Sequence, residues 1–334
     1  MSQVAIVILN YNGVDFLSKF LPSVINYSKG YQIIVADNAS TDDSIPFLQN
    51  NYPEIKVISL DQNYGFCGGY NRALRVVDAE YYLLLNSDIE VTRNWIKPLL
   101  NLFEKDPTIA VVQPKILSHS DKTRFEYAGA AGGYMDKYGY PFCRGRIFNS
   151  LEKDAGQYDL VHEIFWASGA CMLIKAKNFW EADGFDEKFF AHMEEIDLCW
   201  RLKNLGYRIM YSPGSKVYHV GGGTLPKNNP KKIFLNFRNS LFMLVKNLPS
   251  NRLFSKLLVR MVLDLPAAIM FILQGSPKNF MMVFKAHMDF YRNLPDFLND
   301  KLENQRSLKS FQGYYPKSIV YQYFIKRKKV FSKL

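Results

Sequence analysis

Tyr81-Tyr82-Leu83-Leu84-Leu85-Asn86-Ser87-Asp88 runs five apolar residues straight into three polar ones. A short continuous apolar run reads as a strand buried on both faces, as in a parallel sheet covered by helices. In open α/β sheets ligands gather beyond the carboxyl ends of the strands, so the polar residues at this end are the first to question. Asp88 offers a hard oxygen ligand suited to Mg²⁺ or Mn²⁺, and Ser87 stands beside it. The bland reading of Asp88 is a cap for a helix starting near Thr92.

Upstream, Val4–Leu9, Ile33–Ala36 and Lys56–Leu60 are further runs of strand length. Between the strands, Phe16–Tyr27, Asp42–Asn50 and Gly69–Val77 read as helices, the second with Ser40-Thr41-Asp42 to cap it. This alternation predicts an α/β fold, a mostly parallel central sheet flanked by helices. Every strand again ends in polar residues. Leu9, Asn10 and Tyr11 offer backbone groups and a ring for a base, while Asp37 and Asn38 offer acceptors for a base edge or ribose hydroxyls. The turn from Asn63 through Gly65 to Asn71 is glycine-rich and leads into a helix, where backbone N–H groups can approach an anion. Singly these are weak: Asp37-Asn38-Ala39-Ser40 alone is more often a turn and helix cap, and the glycine turn is neither G-x-G-x-x-G nor followed by a Walker lysine. Clusters at four successive strand ends are not explained by capping.

Downstream, Tyr127–Arg146 reads as a hairpin or mobile loop, Ala170–Ile174 as a strand, and Glu194–Leu205 as a helix. That helix opens on three carboxylates, Glu194, Glu195 and Asp197. Offsetting the helix dipole accounts for two acids in a first turn, and the third is in excess.

After Leu225, prolines punctuate helix-length apolar-basic stretches, which places a boundary near 225 and a mainly helical region over 226–334. The net charge of +11 divides unevenly there: residues 1–225 hold 22 Lys+Arg and 26 Asp+Glu, and residues 226–334 hold 20 and 5, so −4 and +15. Lys256, Arg260 and Asp264 leave no uncharged stretch near the ~18 residues that span a bilayer. Helices lying on an anionic membrane surface are expected, with a homodimer or acceptor-binding face as the other use of the region. The 334 residues, 48% hydrophobic, suffice for a substantial core. Four dispersed cysteines form no C-x-x-C pair, which argues against a zinc ribbon and suits a reducing cytoplasm. The opening residues lack a basic n-region, so export is not expected. No nucleic-acid module with stacking aromatics is recognisable.

The order of Ile8-Leu9-Asn10-Tyr11-Asn12-Gly13, Asp37-Asn38-Ala39-Ser40-Thr41-Asp42, Asn63-Tyr64-Gly65-Phe66 and Leu84-Leu85-Asn86-Ser87-Asp88 resembles family 2 glycosyltransferases of the GT-A fold, in particular the rhamnosyltransferase-like branch. The resemblance continues through Trp166-Ala167-Ser168-Gly169, Gly184-Phe185-Asp186-Glu187 and Glu194-Glu195-Ile196-Asp197, and covers roughly residues 3–225. It implies an inverting transfer from a nucleotide diphosphate donor, a dTDP- or UDP-sugar such as dTDP-L-rhamnose. The acceptor it implies is a saccharide or lipid-linked glycan in cell-surface polysaccharide synthesis. It assigns the metal, Mn²⁺ or Mg²⁺, to Asp88 and His219, the base to Glu195, and the sugar or acceptor pocket to Trp166, Ser168 and Gly169. The family's D-x-D reads Asn86-Ser87-Asp88 here, which leaves one carboxylate and makes the donor's phosphates part of the metal's shell. Two other classes compete. A nucleotidyltransferase would carry an N-terminal G-x-G-T-R-type loop, which Leu9–Gly13 is not, and a basic membrane- or nucleic-acid-binding protein would not need carboxylates at strand ends.

Overall fold

The computed structural model describes residues 2–221, 229–299, 301 and 305–334. In chain order the first part runs β1 (Ser2–Asn10), α1 (Val14–Tyr27), β2 (Gln32–Asp37), α2 (Ser44–Asn51), β3 (Lys56–Ser59), α3 (Gly65–Arg75), β4 (Ala79–Asn86), β5 (Ile89–Val91), α4 (Lys97–Lys105) and β6 (Ile109–Ser118). Next come the short strands β7 (Gly133–Asp136), β8 (Pro141–Cys143), β9 (Arg146–Ile147), β10 (Ser150–Leu151) and β11 (His162–Glu163). They lead into β12 (Cys171–Lys175), α5 (Ala176–Glu181), α6 (Glu194–Asn204) and β13 (Arg208–His219). Beyond these lie α7 (Pro230–Asn247), α8 (Ser250–Leu273), α9 (Pro277–Asn299) and a last strand, β14 (Tyr314–Tyr315).

The central sheet is ordered β11-β13-β6-β12-β4-β1-β2-β3, with β5 paired to β13. It is parallel through β3, β2, β1 and β4, as expected, and becomes mixed where β12 runs antiparallel between β4 and β6. Leu9 of β1 lies opposite both Ala36 and Asn86, so the polar ends of β1, β2 and β4 arrive at one edge. The apolar runs serve two cores because strand side chains alternate in direction. Leu84, Ala5 and Val7 enter the cluster on one face, and Leu83, Leu85, Val4 and Ile6 the cluster on the other.

The Tyr127–Arg146 segment forms the expected hairpin, β7 against β8, in a second sheet ordered β10-β9-β8-β7-β14. Three local readings change. Helix α3 begins at Gly65 rather than Gly69, so the glycine turn is its first turn. The helix after Asp88 begins only at Lys97; Asp88 caps nothing and sits in the turn between β4 and β5. Asp42 accepts from Val14 N and Ser44 N, tying α1 to α2.

The boundary near 225 lies outside the described residues. On its far side α7 shares the large core with the sheet domain, and Leu241–Val245 belong to the same cluster as Trp200 and Phe189. Helix α8 is inside-out by ordinary rules. It buries Arg260 and Asp264: Arg260 donates to Gly139 O (2.7 Å) and Ser240 Oγ (3.0 Å), and Asp264 lies 3.0 Å from His287 Nε2. Its opposite face exposes Phe254, Leu258, Val262, Leu265, Ile269 and Leu273, spaced three and four apart. Helix α9 continues this apolar surface with Met281, Phe284, Met288 and Tyr291. Arg260 therefore does not reach toward headgroups, as the sequence had suggested for the basic residues of this stretch. No described helix is long and apolar enough to cross a membrane.

Candidate active site

At the edge where β1, β2 and β4 end, the strand-end polar residues form one hydrogen-bonded network. Asn10 Nδ2 donates to Asp37 Oδ1 (3.0 Å) and Ser40 Oγ (3.2 Å), and Ser40 N donates to Asp37 Oδ2 (2.9 Å). Asn38 Nδ2 donates to Asn63 Oδ1 (3.1 Å) and Gly65 O (2.9 Å), while its Oδ1 receives Tyr64 N (3.0 Å). Leu9, Asn10, Asp37, Asn38, Asn63 and Gly65 thus come together, with Tyr11 exposed above them and Ser87 half-buried at the end of β4. Asn71 does not join them: it is buried and exchanges hydrogen bonds with the backbone of Phe185 (2.7 and 3.0 Å), holding the loop before α6 against α3.

The anion cradle expected at the glycine turn is already filled. Phe66 N and Cys67 N both donate to the carbonyl of Phe190 (2.8 and 3.2 Å), and Gly65 N to Asn63 Oδ1 (2.9 Å). The orphan donors that would receive a phosphate at this helix start are satisfied by the chain's own loop. Gly65 has a φ of +70°, and a Cβ there would come within 2.6 Å of the Phe190 ring, so only glycine admits this closure.

Asp88 meets His219, and both are buried. His219 ends β13 opposite Ile89, and Val220 N donates to Asp88 O (3.1 Å), which fixes the two side chains on neighbouring strand ends. His219 Nε2 lies 3.1 Å from Asp88 Oδ1, and its Nδ1 lies 3.2 Å from Glu126 Oε2, an ion pair whose angle departs from that of a hydrogen bond. Glu126 carries no signal in its own stretch of sequence; only β6, with Glu126 N bonded to Ile116 O, brings it under β13. Burial opposes every charge here, yet the two carboxylates raise the His219 imidazole to about 10 and His219 holds both carboxylates below their ordinary range. One carboxylate oxygen thus faces each nitrogen of a buried imidazole. Raised this far, the imidazole carries both of its protons, so it offers a nitrogen ligand only where a bound cation displaces one of them. The residues following Gly221 in this segment lie outside the described residues.

Helix α6 sorts its three acids. Asp197 is buried and fully engaged, accepting from Arg201 Nε (2.8 Å) and Asn247 Nδ2 (2.7 Å) with Lys246 Nζ at 3.5 Å. It is an anchor between α6 and α7, not a free base. Glu194 is buried with Oε2 unpartnered, and burial plus repulsion from Glu195 pushes it well up. Glu195 Oε2 is also unpartnered, and burial pushes this carboxyl up to about 7. A Cβ on Gly169 would stand 3.6 Å from Glu195 Cβ. One residue further, Ala170 O receives Asn86 N (2.9 Å), so the Gly169–Ala170 segment touches both Glu195 and the end of β4. Ser168 is buried, its N–H donating to Gln113 Oε1 (2.8 Å). Trp166 is taken up by packing: its ring covers Gly133, where a Cβ would come within 2.2 Å, and its Nε1 donates to Tyr134 O (3.0 Å).

The loop entering α6 is strained, with Phe190, His192 and Met193 at φ of 63°, 70° and 73°. Such conformations cost about 1–3 kcal/mol each and persist where surroundings impose them. Asn239 of α7 does so, with Nδ2 within 2.8–2.9 Å of the carbonyls of Phe189, Ala191 and His192.

A sheet parallel through β3, β2, β1 and β4, with polar residues gathered at the carboxyl ends of its strands, is the ligand-binding arrangement of open α/β folds, here of the GT-A type. The family model for glycosyl transferase family 2 matches residues 5–181, and the chain belongs to that family. The N-acetylglucosaminyl-diphospho-decaprenol L-rhamnosyltransferase of Mycobacterium tuberculosis is 25% identical over 233 residues, 64% of this chain and 75% of that one. The rhamnosyltransferase WbbL of Escherichia coli K12 is 27% identical over 226 residues, 65% of this chain and 83% of its own. Among solved structures, the mannosyltransferase PcManGT of Pyrobaculum calidifontis, in complex with GDP-Man and Mn²⁺, superimposes with a TM-score of 0.52 at 13% identity, covering 89% of this chain and 83% of that one. The chain is a glycosyltransferase, as the order of its motifs implied.

Proposed function

We propose that this enzyme transfers L-rhamnose from a nucleotide diphosphate donor to a saccharide hydroxyl on a lipid-linked carrier, with inversion at the anomeric carbon and with a divalent metal. The observation that carries the reading is the buried Asp88–His219 pair, 3.1 Å apart at the strand ends, together with Glu195 at the start of α6, whose Oε2 has no partner. The rhamnose and the lipid carrier rest on the relatives' names.

Asn10, Asp37 and Asn38 shape the nucleoside end of the site, and Tyr11 lies exposed to receive the base. Asp88 and His219 would hold Mn²⁺ or Mg²⁺, with the donor's phosphates completing the shell. Bound there, the ion neutralises charge on the leaving diphosphate. That requirement is sharpened by the closed start of α3, whose amides are already spent on Phe190. Glu195 takes the proton of the acceptor hydroxyl as it attacks the anomeric carbon opposite the departing nucleotide. One displacement then inverts that centre. Glu194 beside it repels a second charge, so the buried pair carries a single ionised carboxylate.

A panel of dTDP-, UDP- and GDP-sugars with Mn²⁺ or Mg²⁺, scored by nucleoside diphosphate release with and without chelator, tests the reading. Chelator-sensitive release from one donor class is expected. Release of pyrophosphate from a nucleoside triphosphate in place of a diphosphate would defeat it.

The inverted α8 and the adjoining face of α9 support placing the enzyme against an anionic membrane of the compartment where nucleotide sugars are made, the cytoplasm. Apolar residues outward and charges inward suit a helix whose solvent on that side is lipid.

A further inference from the structure

A cavity of about 490 Å³ lies between α7, α9 and the loop before α6, lined by Lys188, Phe190, Lys231, Phe234, Leu235, Arg238, Met282 and Lys285. Extending the acceptor reading above, on which it rests, we infer that this cavity seats the phosphate or diphosphate of the lipid-linked acceptor, with the lipid leaving along α9.

Charge comes first. Four cations line one cavity, and Arg238 has Asp289 as its carboxylate (3.1 Å). Among the described residues Lys231 and Lys285 make no ion pair. Their ammonium groups stand over aromatic rings instead, Lys231 over Phe190 at 4.3 Å and Lys285 over Phe234 at 5.9 Å. Lys231 and Lys285, gathered in one cavity with no described carboxylate of their own, repel one another, and an anion between them removes that cost. The remaining lining is apolar, which a simple inorganic phosphate does not need.

Position comes second. Phe190, one wall of the cavity, closes the start of α3 with its carbonyl and lies on the loop that delivers Glu194 and Glu195. Arg238 donates to the Lys188 and Phe189 carbonyls (3.0 and 3.4 Å), and the next residue, Asn239, holds the rest of that loop. Cavity and base are thus two sides of one loop. On α9, Met282 and Lys285 face the cavity while their neighbours Met281, Phe284 and Met288 belong to the exposed apolar face. An anionic head held on the loop that leads to Glu195, with an apolar surface leading away, matches a phosphate-linked lipid.

The test uses the full chain and three probes in calorimetry: farnesyl diphosphate, inorganic pyrophosphate and farnesol. Lys231 and Lys285 are exposed, so the double variant K231E/K285E leaves the core untouched. Wild type should bind farnesyl diphosphate roughly ten-fold or more tighter than either half-probe, and the double variant should lose about ten-fold, or 1.4 kcal/mol, while nucleotide diphosphate with Mn²⁺ binds both proteins equally. Three results overturn the inference: equal binding of farnesyl diphosphate by both proteins, pyrophosphate binding as tightly as farnesyl diphosphate, or displacement of farnesyl diphosphate by the nucleotide diphosphate. The donor panel fails or succeeds on nucleotide release alone, so a wrong transferase reading is told apart from a wrong cavity.

Discussion

Glu195 and Asp197, two residues apart on α6, differ in their neighbours. Asp197 is bound by Arg201 and Asn247 with Lys246 nearby, so Asp197→Ala strands buried cations and should cost about 3–5 kcal/mol in denaturant unfolding. Glu195→Gln should leave stability and donor binding unchanged while turnover falls about 10²–10⁴-fold; normal turnover in this variant would move the base elsewhere. The base acts ionised, and burial raises this carboxyl to about 7, so kcat should fall as pH drops through 7 rather than near the ordinary glutamate range. A kcat flat from about pH 8 to pH 5 would contradict this. Glu126→Gln removes the charge that holds His219 Nδ1 and should weaken Mn²⁺-dependent nucleotide binding by roughly 10–100-fold, measured by titrating Mn²⁺ at fixed nucleotide. Asp88 and Glu195 were legible in the sequence because their stretches follow a strand and open a helix. Glu126 was not, because nothing local marks a glutamate that acts only through a histidine 93 positions later.

Among elements, α7 governs the loop that leads to Glu195. Asn239 has two N–H groups for three carbonyls, and they hold a backbone in which Phe190, His192 and Met193 are left-handed. Asn239→Ala should therefore lower stability by about 1–3 kcal/mol, seen as a drop in Tm, and lower kcat more than donor affinity. Unchanged kcat would mean that the loop keeps its shape without α7. The strands and helices of the first part were readable because an apolar run of period two and an amphipathic run of period 3.6 are local patterns. The start of α3 was placed four residues late because its first donors are satisfied by Phe190, a partner far along the chain. Asn71 looked like a ligand-binding residue for the same reason: its partner, Phe185, is distant in sequence.

Over the whole molecule, the face formed by α8 and α9 makes the largest claim on surroundings. The triple variant L258E/L265E/I269E should reduce cosedimentation with phosphatidylglycerol vesicles several-fold and leave Tm nearly unchanged, since all three side chains are exposed. If vesicle binding persists while a wild-type dimer dissociates in the variant, the face is covered by a second copy instead. The charge division, +15 after residue 225 against −4 before it, raises the expectation of an anionic partner for the last third. Composition could not say which residues would meet it, because Arg260 and Asp264 turn inward and leucines turn out. By itself the sequence determined the α/β alternation, the strand-end residues and their order, since those depend on hydrophobic period and chain direction. Tertiary structure alone decided that Glu126 stands against His219, that the start of α3 is closed by the Phe190 carbonyl, and that Asp197 is an anchor while Glu195 keeps one oxygen unpartnered. Each of these is set by a contact between segments far apart in the chain, and such contacts leave no local trace.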